Sequence, residues 1–395
     1  MPTRNHYAWI VSHISEFPCP MPPSLSHAGR RQQVAVVGGG LSGLVVAYRR
    51  MQAGDDVILF ESSERLGGQI WTDARQGFVV EHGAEGFAPA SDAILTLASD
   101  LEIPGRIVSQ RIHRSYTLNG SGLSPFEPAA PSTVVGLRAP FARRGHGIAS
   151  FRGGMRDLVR ALVTKLRDRV RFRVGEPVWY LAPSGRRWEL GTGSLARARV
   201  DAVVLATNAR TAGALLRRTL GRTELERAPA LSSVTVSLAY PRAAIRHELD
   251  ATGFVVGDSV SPASCQACTF SSSKLPGRSP DGYALLRLFF RPSPADIESM
   301  SDRDWIDRAE RVLRAAFPVH GGPERAWVDR WPDTLAVVGA EQRESVRAAE
   351  ERLAGRKILL AGAAFHGPGV EGAVRSGEAA AQALDSATQL LGGVA

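Results

Sequence analysis

The chain has 395 residues, of which 44% are hydrophobic and 22% charged, a composition typical of a folded globular protein rather than a disordered or fibrous one. Its formal net charge is +9, but only three of its 48 basic residues are lysines, and the arginines are scattered along the chain. This diffuse charge favours an anionic membrane face or a polycarboxylate ligand, and nucleic acid is not an expected partner.

Targeting and membrane signals are weak throughout the sequence. No run approaches the roughly 20 apolar residues that a membrane-spanning helix requires, and three cysteines are too few for a disulfide framework. Residues 1–32 lack the apolar core of a secretory signal peptide, and we interpret them as a disordered or mis-annotated extension, with Met21 as an alternative start. We expect a cytoplasmic protein, and leave open both a peripheral membrane contact and the choice between monomer and homodimer.

The first structural signal is a glycine-rich turn between a predicted strand and a predicted helix. It lies in the segment VAVVGGGLSGLVVAYRR, and its three spaced glycines are Gly38, Gly40 and Gly43. In a dinucleotide-binding fingerprint the first glycine allows a tight turn, the second lets the backbone approach a pyrophosphate, and the third lets the helix pack on the strand. Leu41 and Ser42 open the helix, whose N-terminus suits an anion. Glu61 ends the next apolar run, where a carboxylate accepts hydrogen bonds from a ribose.

The following segments indicate which dinucleotide is bound. The sequence ERLGGQIWT resembles the arginine and paired-glycine motif of the two-dinucleotide-binding flavoproteins, and GFVVEHGAEGFAP resembles the next segment of the flavin-containing amine oxidase superfamily. Near the C-terminus, KILLAGAAFHGPGVEGAVRSG resembles the strand, turn and helix with which that superfamily closes over the flavin. The resemblance implies FAD as the cofactor. It places at the cofactor Ser62, Arg65, Gly67, Gly68, Gln69, Gly362, Gly367, Gly369 and Val370.

The most specific resemblance is to the protoporphyrinogen oxidases. It is carried by SFRGGMRDLVRAL at residues 150–162, by CTFSSSKLPGRSPDGYALLRLFF at residues 268–290 and by the C-terminal segment. It implies hydride transfer from a porphyrinogen to FAD, with oxygen as the acceptor, and it places Val178 alongside the adenine and Ala206 close to the nucleotide. Two alternatives stay open: the same machinery acting on another hydrophobic substrate, such as a polyene, a terpene or an amine, and a catalytically idle FAD-binding protein.

The order of the motifs predicts an α/β fold. We expect a Rossmann-like FAD-binding domain built from both chain ends, at residues 33–110, 150–227 and 331–395, interleaved with an α+β substrate domain that contains an antiparallel sheet. The sheet is expected at residues 228–330, with an amphipathic helix at Asp304–Phe317. Residues 111–149 are expected to form a shortened substrate segment. In the resembled family a long helical domain roofs the substrate cavity, whereas here only Leu123–Ala149 fills that interval, without helical periodicity.

Few side chains are candidates for chemistry. The resemblance implies that Arg114 pairs a propionate of the substrate, a role that suits a guanidinium group. His366, beside the flavin-closing turn, either polarises the substrate or is solvated, and no catalytic role is expected for Lys274. Cys265 and Cys268 lie in a predicted strand, whose alternation would place residues three apart on opposite faces, so we expect no metal site.

Overall fold

The computed structural model describes residues 31–126, 147–193, 196–257 and 264–392, with side chains described as far as residue 385. The expected extension at residues 1–32 lies outside the described residues except for its last two positions. Most of the expected roof segment, residues 127–146, also lies outside them. Both expectations therefore stay predictions.

A parallel sheet forms the centre of the nucleotide-binding half. Its five strands are β1 (Gln33–Val37), β2 (Asp56–Glu61), β9 (Arg171–Val174), β13 (Ala202–Leu205) and β19 (Ile358–Leu360). They lie in the order β19, β13, β1, β2, β9, so the first and the last strands of the described chain belong to one sheet. Residues 34–37 of β1 are at most 4% exposed, as expected for a parallel strand covered on both faces.

Helices cover both faces of this sheet, with a small antiparallel sheet added on one side. The first face packs against α1 (Leu41–Gln52), α2 (Asp92–Asp100), α3 (Arg156–Leu166) and α10 (Gly369–Gly392). The second face packs against α4 (Ala209–Leu220), α8 (Ala340–Leu353) and the sheet of β10 (Val178–Ser184), β11 (Arg187–Thr192) and β12 (Arg197–Val200). The prediction of an α/β nucleotide-binding fold built from both chain ends is confirmed.

A seven-stranded sheet forms the second half of the molecule. Its strands are β6 (Tyr116–Asn119), β7 (Gly122–Pro125), β14 (Ala230–Pro241), β15 (Gly253–Val256), β16 (Cys265–Phe270), β17 (Tyr283–Phe290) and β18 (Arg325–Ala336). They lie in the order β18, β14, β17, β16, β15, β6, β7, and all neighbours are antiparallel except β15 and β6. Helix α7 (Asp302–Ala316) packs on this sheet through the fully buried Trp305 and Leu313. The predicted antiparallel sheet with an amphipathic helix across it is confirmed.

A hairpin of β3 (Thr72–Arg75) and β4 (Phe78–Glu81) joins the two halves. Phe78 and Val80 pack against β14 and β17, whereas Glu81 accepts a hydrogen bond from Met155 N, just before α3. The remaining elements are β5 (Ile107–Ser109), β8 (Ala149–Phe151), α5 (Ser271–Lys274), α6 (Pro294–Ser299) and α9 (Ala363–His366). The ends of the expected roof loop are therefore strands, because Leu123 lies in β7 and Ala149 begins β8.

Candidate active site

The turn after β1 has the shape that the glycine spacing predicts. Gly38 has a φ of +111°, and a Cβ there would lie 2.5 Å from the carbonyl oxygen of Ala206. A Cβ on Gly43 would lie 1.9 Å from the carbonyl oxygen of Gly38. These two positions therefore exclude a side chain, the first for backbone conformation and the second for the close approach of helix and strand.

Gly40 is different, because it faces open space. It is the N-cap of α1, it has no side-chain capping bond, and the first turn of the helix carries no acidic residue. A Cβ there would meet the protein only at 3.9 Å, at Gly68 Cα. The start of α1 therefore borders a space that the protein does not fill, which is the environment that suits a pyrophosphate. Leu41 and Ser42, each 6% exposed, fix this end of the helix in the core.

Glu61 is held in place at the carboxyl end of β2. Its Oε2 accepts a hydrogen bond from Gly39 N at 2.7 Å, and its Oε1 accepts one from Ser63 N at 2.8 Å. The Ser62 hydroxyl lies 3.4 Å from the same Oε1. The carboxylate is thus oriented by backbone donors beside the glycine turn, where the ribose of a dinucleotide would lie.

The arginine and paired-glycine motif packs directly on that turn. Gly67 N donates to Gly39 O at 2.8 Å, and a Cβ on Gly68 would lie 3.0 Å from Gly40 Cα. The Arg65 guanidinium donates to Gly68 O at 2.6 Å and lies 5.0 Å from the centre of the Trp71 ring. Gln69 Nε2 donates to Thr334 O at 2.7 Å. We call the open space next to Gly40, at the start of α1, the cradle. Arg65 holds Gly68 in place beside it.

The C-terminal segment contains a further glycine-rich turn, at residues 362–369. Gly362, Gly367 and Gly369 all have positive φ angles, and a Cβ on Gly367 or Gly369 would meet no protein atom within 4 Å. Helix α10 begins at Gly369, as predicted, and packs on α1, where a Cβ on Gly377 would lie 2.8 Å from Ser42 O. A Cβ on Gly362 would lie 3.9 Å from Ser42 Oγ, so the C-terminal segment packs beside the first turn of α1, and the partly buried Val370 packs against the same core.

The two remaining nucleotide candidates lie in different places. Ala206 follows β13, donates its N–H to Val37 O at 2.7 Å, and comes close to the space that a Gly43 side chain would need. Val178 begins β10 and packs against the core on the second face of the parallel sheet. Its contact with an adenine stays a prediction.

The two candidate substrate residues do not lie together. Arg114 precedes β6, is 64% exposed at its side chain, and forms an ion pair with Asp250 at 2.8 Å. Asp250 also accepts a hydrogen bond from Tyr116 Oη at 2.9 Å, which lowers the pKa of its carboxyl group. His366 ends α9, within the glycine-rich turn at residues 362–369. Its Nδ1 lies 2.7 Å from Ser376 Oγ, and its Nε2 lies 2.7 Å from Glu350 Oε1.

A buried group of charged residues, which the sequence analysis did not identify, lies where the β3–β4 hairpin meets the seven-stranded sheet. Lys274 Nζ pairs with Glu85 Oε2 at 2.8 Å, and His82 Nδ1 lies 2.7 Å from Asp329 Oδ1. Arg287, 3% exposed, donates to the carbonyl oxygens of His82 and Gly83. The available signal was an arginine inside the apolar run YALLRLFF, since a buried charge needs partners.

Burial and neighbouring cations have opposing effects on the pKa values of two buried carboxyl groups here, Glu85 and the nearby Glu81. Burial raises the pKa of Glu81 to about 7, against the opposing effects of Arg278 and of hydrogen bonds from Thr72 and Met155. Burial also acts to raise the pKa of Glu85, but Lys274 and Arg287 outweigh it, so that this pKa is lowered. Lys274 is therefore the ion-pair partner of a buried carboxylate.

The expectation that Cys265 and Cys268 face opposite sides of their strand is wrong. The register of β16 against β17 shifts between Cys265 and Ala267, and both thiols lie in the same apolar core of the seven-stranded sheet. Both are free cysteines, and burial raises the pKa of the Cys265 thiol to about 12. Across the described ranges, no group of three or more His, Cys, Asp or Glu side chains is arranged to hold a metal ion.

The parallel sheet with a glycine-rich turn at its carboxyl edge defines a dinucleotide-binding protein. The sequence matches the family described as flavin containing amine oxidoreductase at residues 41–144 and 131–385, and the chain belongs to that family. It is therefore an FAD-dependent oxidoreductase, and the prediction of FAD is confirmed. The residues present fit the cofactor, since Gly40, Gly367 and Gly369 each border space that no protein side chain fills.

Several known proteins are similar to this chain over most of its length. The coproporphyrinogen III oxidase of Bacillus subtilis (strain 168) is 22% identical over 457 residues, which cover 89% of this chain and 97% of that protein. A provisionally named protoporphyrinogen oxidase from Exiguobacterium sp. 255-15 has a TM-score of 0.78 and 20% identity, over 91% of this chain and 99% of its own. The cyclohexylamine oxidase of Brevibacterium oxydans IH-35A has a TM-score of 0.68 and 16% identity, over 91% and 99%. The predicted resemblance is confirmed, and the structural likenesses show the fold.

The helices of the described residues include none that is long and apolar enough to cross a membrane.

Proposed function

We propose that the protein oxidises a porphyrinogen, with FAD as the acceptor of hydride and oxygen as the final electron acceptor. The observation that carries the proposal is the similarity to a coproporphyrinogen III oxidase across 89% of this chain. The sequence motifs at residues 150–162 and 268–290 point to the same substrate class. Each round takes one hydride from a methylene bridge and releases one proton from the macrocycle, and the two electrons reduce one oxygen molecule to hydrogen peroxide; the rounds repeat until the macrocycle is aromatic.

The cradle residues have distinct parts in this proposal. FAD, when bound, supplies the hydride acceptor, and the protein binds and orients it. The N–H groups at the start of α1, next to Gly40, hold the pyrophosphate, and Glu61 accepts hydrogen bonds from the ribose. The N-terminus of α10 at Gly369 presents its positive dipole end to the pyrimidine edge of the flavin, where it stabilises negative charge.

We assign recognition of the substrate's carboxylates to an exposed part of the seven-stranded sheet. A porphyrinogen carries propionates, and Arg114 is the residue that we assign to one of them. Its guanidinium already pairs with Asp250, and its side chain is 64% exposed. A propionate would therefore have to share or replace the Asp250 carboxylate, so we expect a modest contribution to affinity.

Aerobic turnover tests the proposal. Holoprotein is mixed separately with protoporphyrinogen, coproporphyrinogen III and cyclohexylamine, and porphyrin fluorescence and hydrogen peroxide are followed together. We expect both signals with at least one of the two porphyrinogens and neither with the amine. The Gly40→Glu variant serves as a control for non-enzymatic oxidation, since it removes the cofactor. Peroxide formation with the amine, without porphyrin formation from either porphyrinogen, would favour an amine oxidase.

A further inference from the structure

A chain of hydrogen bonds connects the flavin-closing turn, residues 362–369, to helices α8 and α10. Ser376 on α10 is 2% exposed, and its Oγ accepts a hydrogen bond from Gly362 N at 2.8 Å. The same Oγ lies 2.7 Å from His366 Nδ1, and His366 Nε2 lies 2.7 Å from Glu350 Oε1 on α8. We call Glu350, His366 and Ser376 the relay. It connects three helices to the first glycine of the turn.

The hydrogen atoms of the relay have one arrangement that uses every donor. Glu350 can only accept when ionised, so His366 Nε2 carries the hydrogen and Nδ1 carries the lone pair. The Ser376 hydroxyl then donates to Nδ1 and accepts the N–H of Gly362. Each bond points the same way, from the turn toward the carboxylate, and each therefore polarises the next. The carboxylate fixes the imidazole tautomer, as it does for histidines held by acids elsewhere.

The attachment point of the relay is the part of the turn that must keep an unusual shape. Gly362 has a φ of +137° and Gly367 one of +132°, and α10 begins two residues later. The Gly362 N–H is fixed by a side chain of α10 itself, so the turn and the helix N-terminus move as one unit. Arg375, the neighbour of Ser376, instead pairs with Glu371 on the exposed side of α10.

We propose that the relay positions the turn and the α10 N-terminus against the flavin, and that His366 acts through Ser376 as a positioning residue rather than on the substrate. The inference rests on the cofactor placement proposed above and is independent of the substrate. It predicts that breaking the relay weakens FAD binding and makes the flavin harder to reduce, since the dipole of α10 is no longer held in place.

The test measures FAD release on dilution of holoprotein, by fluorescence, together with the flavin reduction potential. Ser376→Ala removes a buried hydrogen bond and is expected to raise the FAD dissociation constant about tenfold, whereas Glu350→Ala removes a side chain that is 42% exposed and is expected to raise it about threefold. Both are expected to shift the potential to more negative values. Glu350→Gln keeps an acceptor for Nε2 and is expected to retain most of the affinity. The double alanine variant should resemble Ser376→Ala, because both substitutions interrupt one chain.

Matched controls lie on the same helices. Arg375→Ala on α10 and Arg347→Ala on α8 each break an exposed ion pair, and both should leave FAD affinity and potential within about twofold of the wild type. Gly40→Ala probes the cofactor placement itself, because Gly40 has an ordinary φ of −70° and its Cβ would meet the protein only at 3.9 Å. Weaker FAD binding in Gly40→Ala with unchanged relay variants would overturn the relay and keep the placement. Unchanged binding in all of them would overturn both, and additive effects in the double variant would also reject the relay.

Discussion

Gly40 and Gly43 are three residues apart in the glycine-rich fingerprint, yet a side chain would have a different effect at each position. A side chain at Gly43 would meet the backbone of Gly38 at 1.9 Å, whereas one at Gly40 would point into open space, where we propose that the cofactor binds. We therefore expect Gly40→Glu to fold normally but to purify without yellow colour, because the carboxylate takes the place of the pyrophosphate. Flavin absorbance and the free energy of unfolding of the purified protein are the measurements.

Gly43→Ala is the matched comparison, and it should lose stability as well as FAD, since the helix must move away from the strand. An overlap with backbone atoms costs about 1–3 kcal/mol when the core adjusts. Full FAD occupancy in both variants would contradict the assignment of this turn to the cofactor.

Substitutions of Arg114 test whether this residue binds the substrate. Arg114→Ala should raise the Michaelis constant for a porphyrinogen about fivefold, or about 1 kcal/mol, with flavin content unchanged, because an exposed guanidinium contributes modestly. Arg114→Lys should restore only part of the loss, since an ammonium lacks the planar fork. Asp250→Asn is the control, because it frees Arg114 from its ion pair and should lower the Michaelis constant. Unchanged kinetics in all three variants would remove Arg114 from the substrate site.

At the scale of elements, the β3–β4 hairpin caps α3. Glu81 Oε1 accepts from Met155 N at 2.7 Å, and Thr72 Oγ1 accepts from Arg156 N at 3.0 Å while donating to Glu81 Oε2 at 2.6 Å. The hairpin thus satisfies backbone donors at the start of the helix, which a helix needs from outside itself. These hydrogen bonds fix the start of α3, which lies within the motif at residues 150–162 and packs in the nucleotide-binding half.

The buried carboxyl group of Glu81 makes this junction sensitive to pH. Its pKa is raised from 4.5 to about 7 in the folded protein, mainly by burial. The folded state therefore holds a proton that the unfolded chain releases, so this contribution to stability is complete below pH 4.5 and is lost as the pH rises through 7. Glu81→Gln keeps an acceptor without a charge. Relative to the wild type, its free energy of unfolding should rise by about 2–3 kcal/mol between about pH 5 and about pH 8. Parallel pH profiles in urea unfolding would contradict this.

The sequence was most informative where an element depends on its own residues. The glycine spacing at 38, 40 and 43 and the start of α10 at Gly369 were predicted, because turns and helix starts follow from local backbone requirements. The position of Cys265 was predicted wrongly, because a register shift depends on the partner strand β17 and leaves no mark in the sequence of β16.

At the scale of the whole molecule, the contacts that hold the halves together join distant parts of the chain. Glu85 and Lys274 are 189 residues apart, and His82 and Asp329 are 247 residues apart. Composition and periodicity carry no information about such pairs: Arg287 inside an apolar run indicates a buried charge, but its partners could not be predicted. The same holds for the β6–β7 hairpin, which joins the seven-stranded sheet through a parallel pairing with β15. Breaking one member of a buried pair leaves an uncompensated charge, which explains why these residues occur as pairs.

We propose that FAD, held beside the glycine-rich turns at Gly40 and Gly369, accepts hydride from a porphyrinogen. Anaerobic rapid mixing of holoprotein with protoporphyrinogen or coproporphyrinogen III, followed by flavin absorbance, tests this step. We expect the oxidised flavin band to bleach with at least one of the two, at a rate that saturates with substrate, and we expect admission of oxygen to restore the band with release of hydrogen peroxide. A flavin band that both porphyrinogens leave unchanged, in protein that dithionite still reduces, would show that the flavin does not oxidise a porphyrinogen.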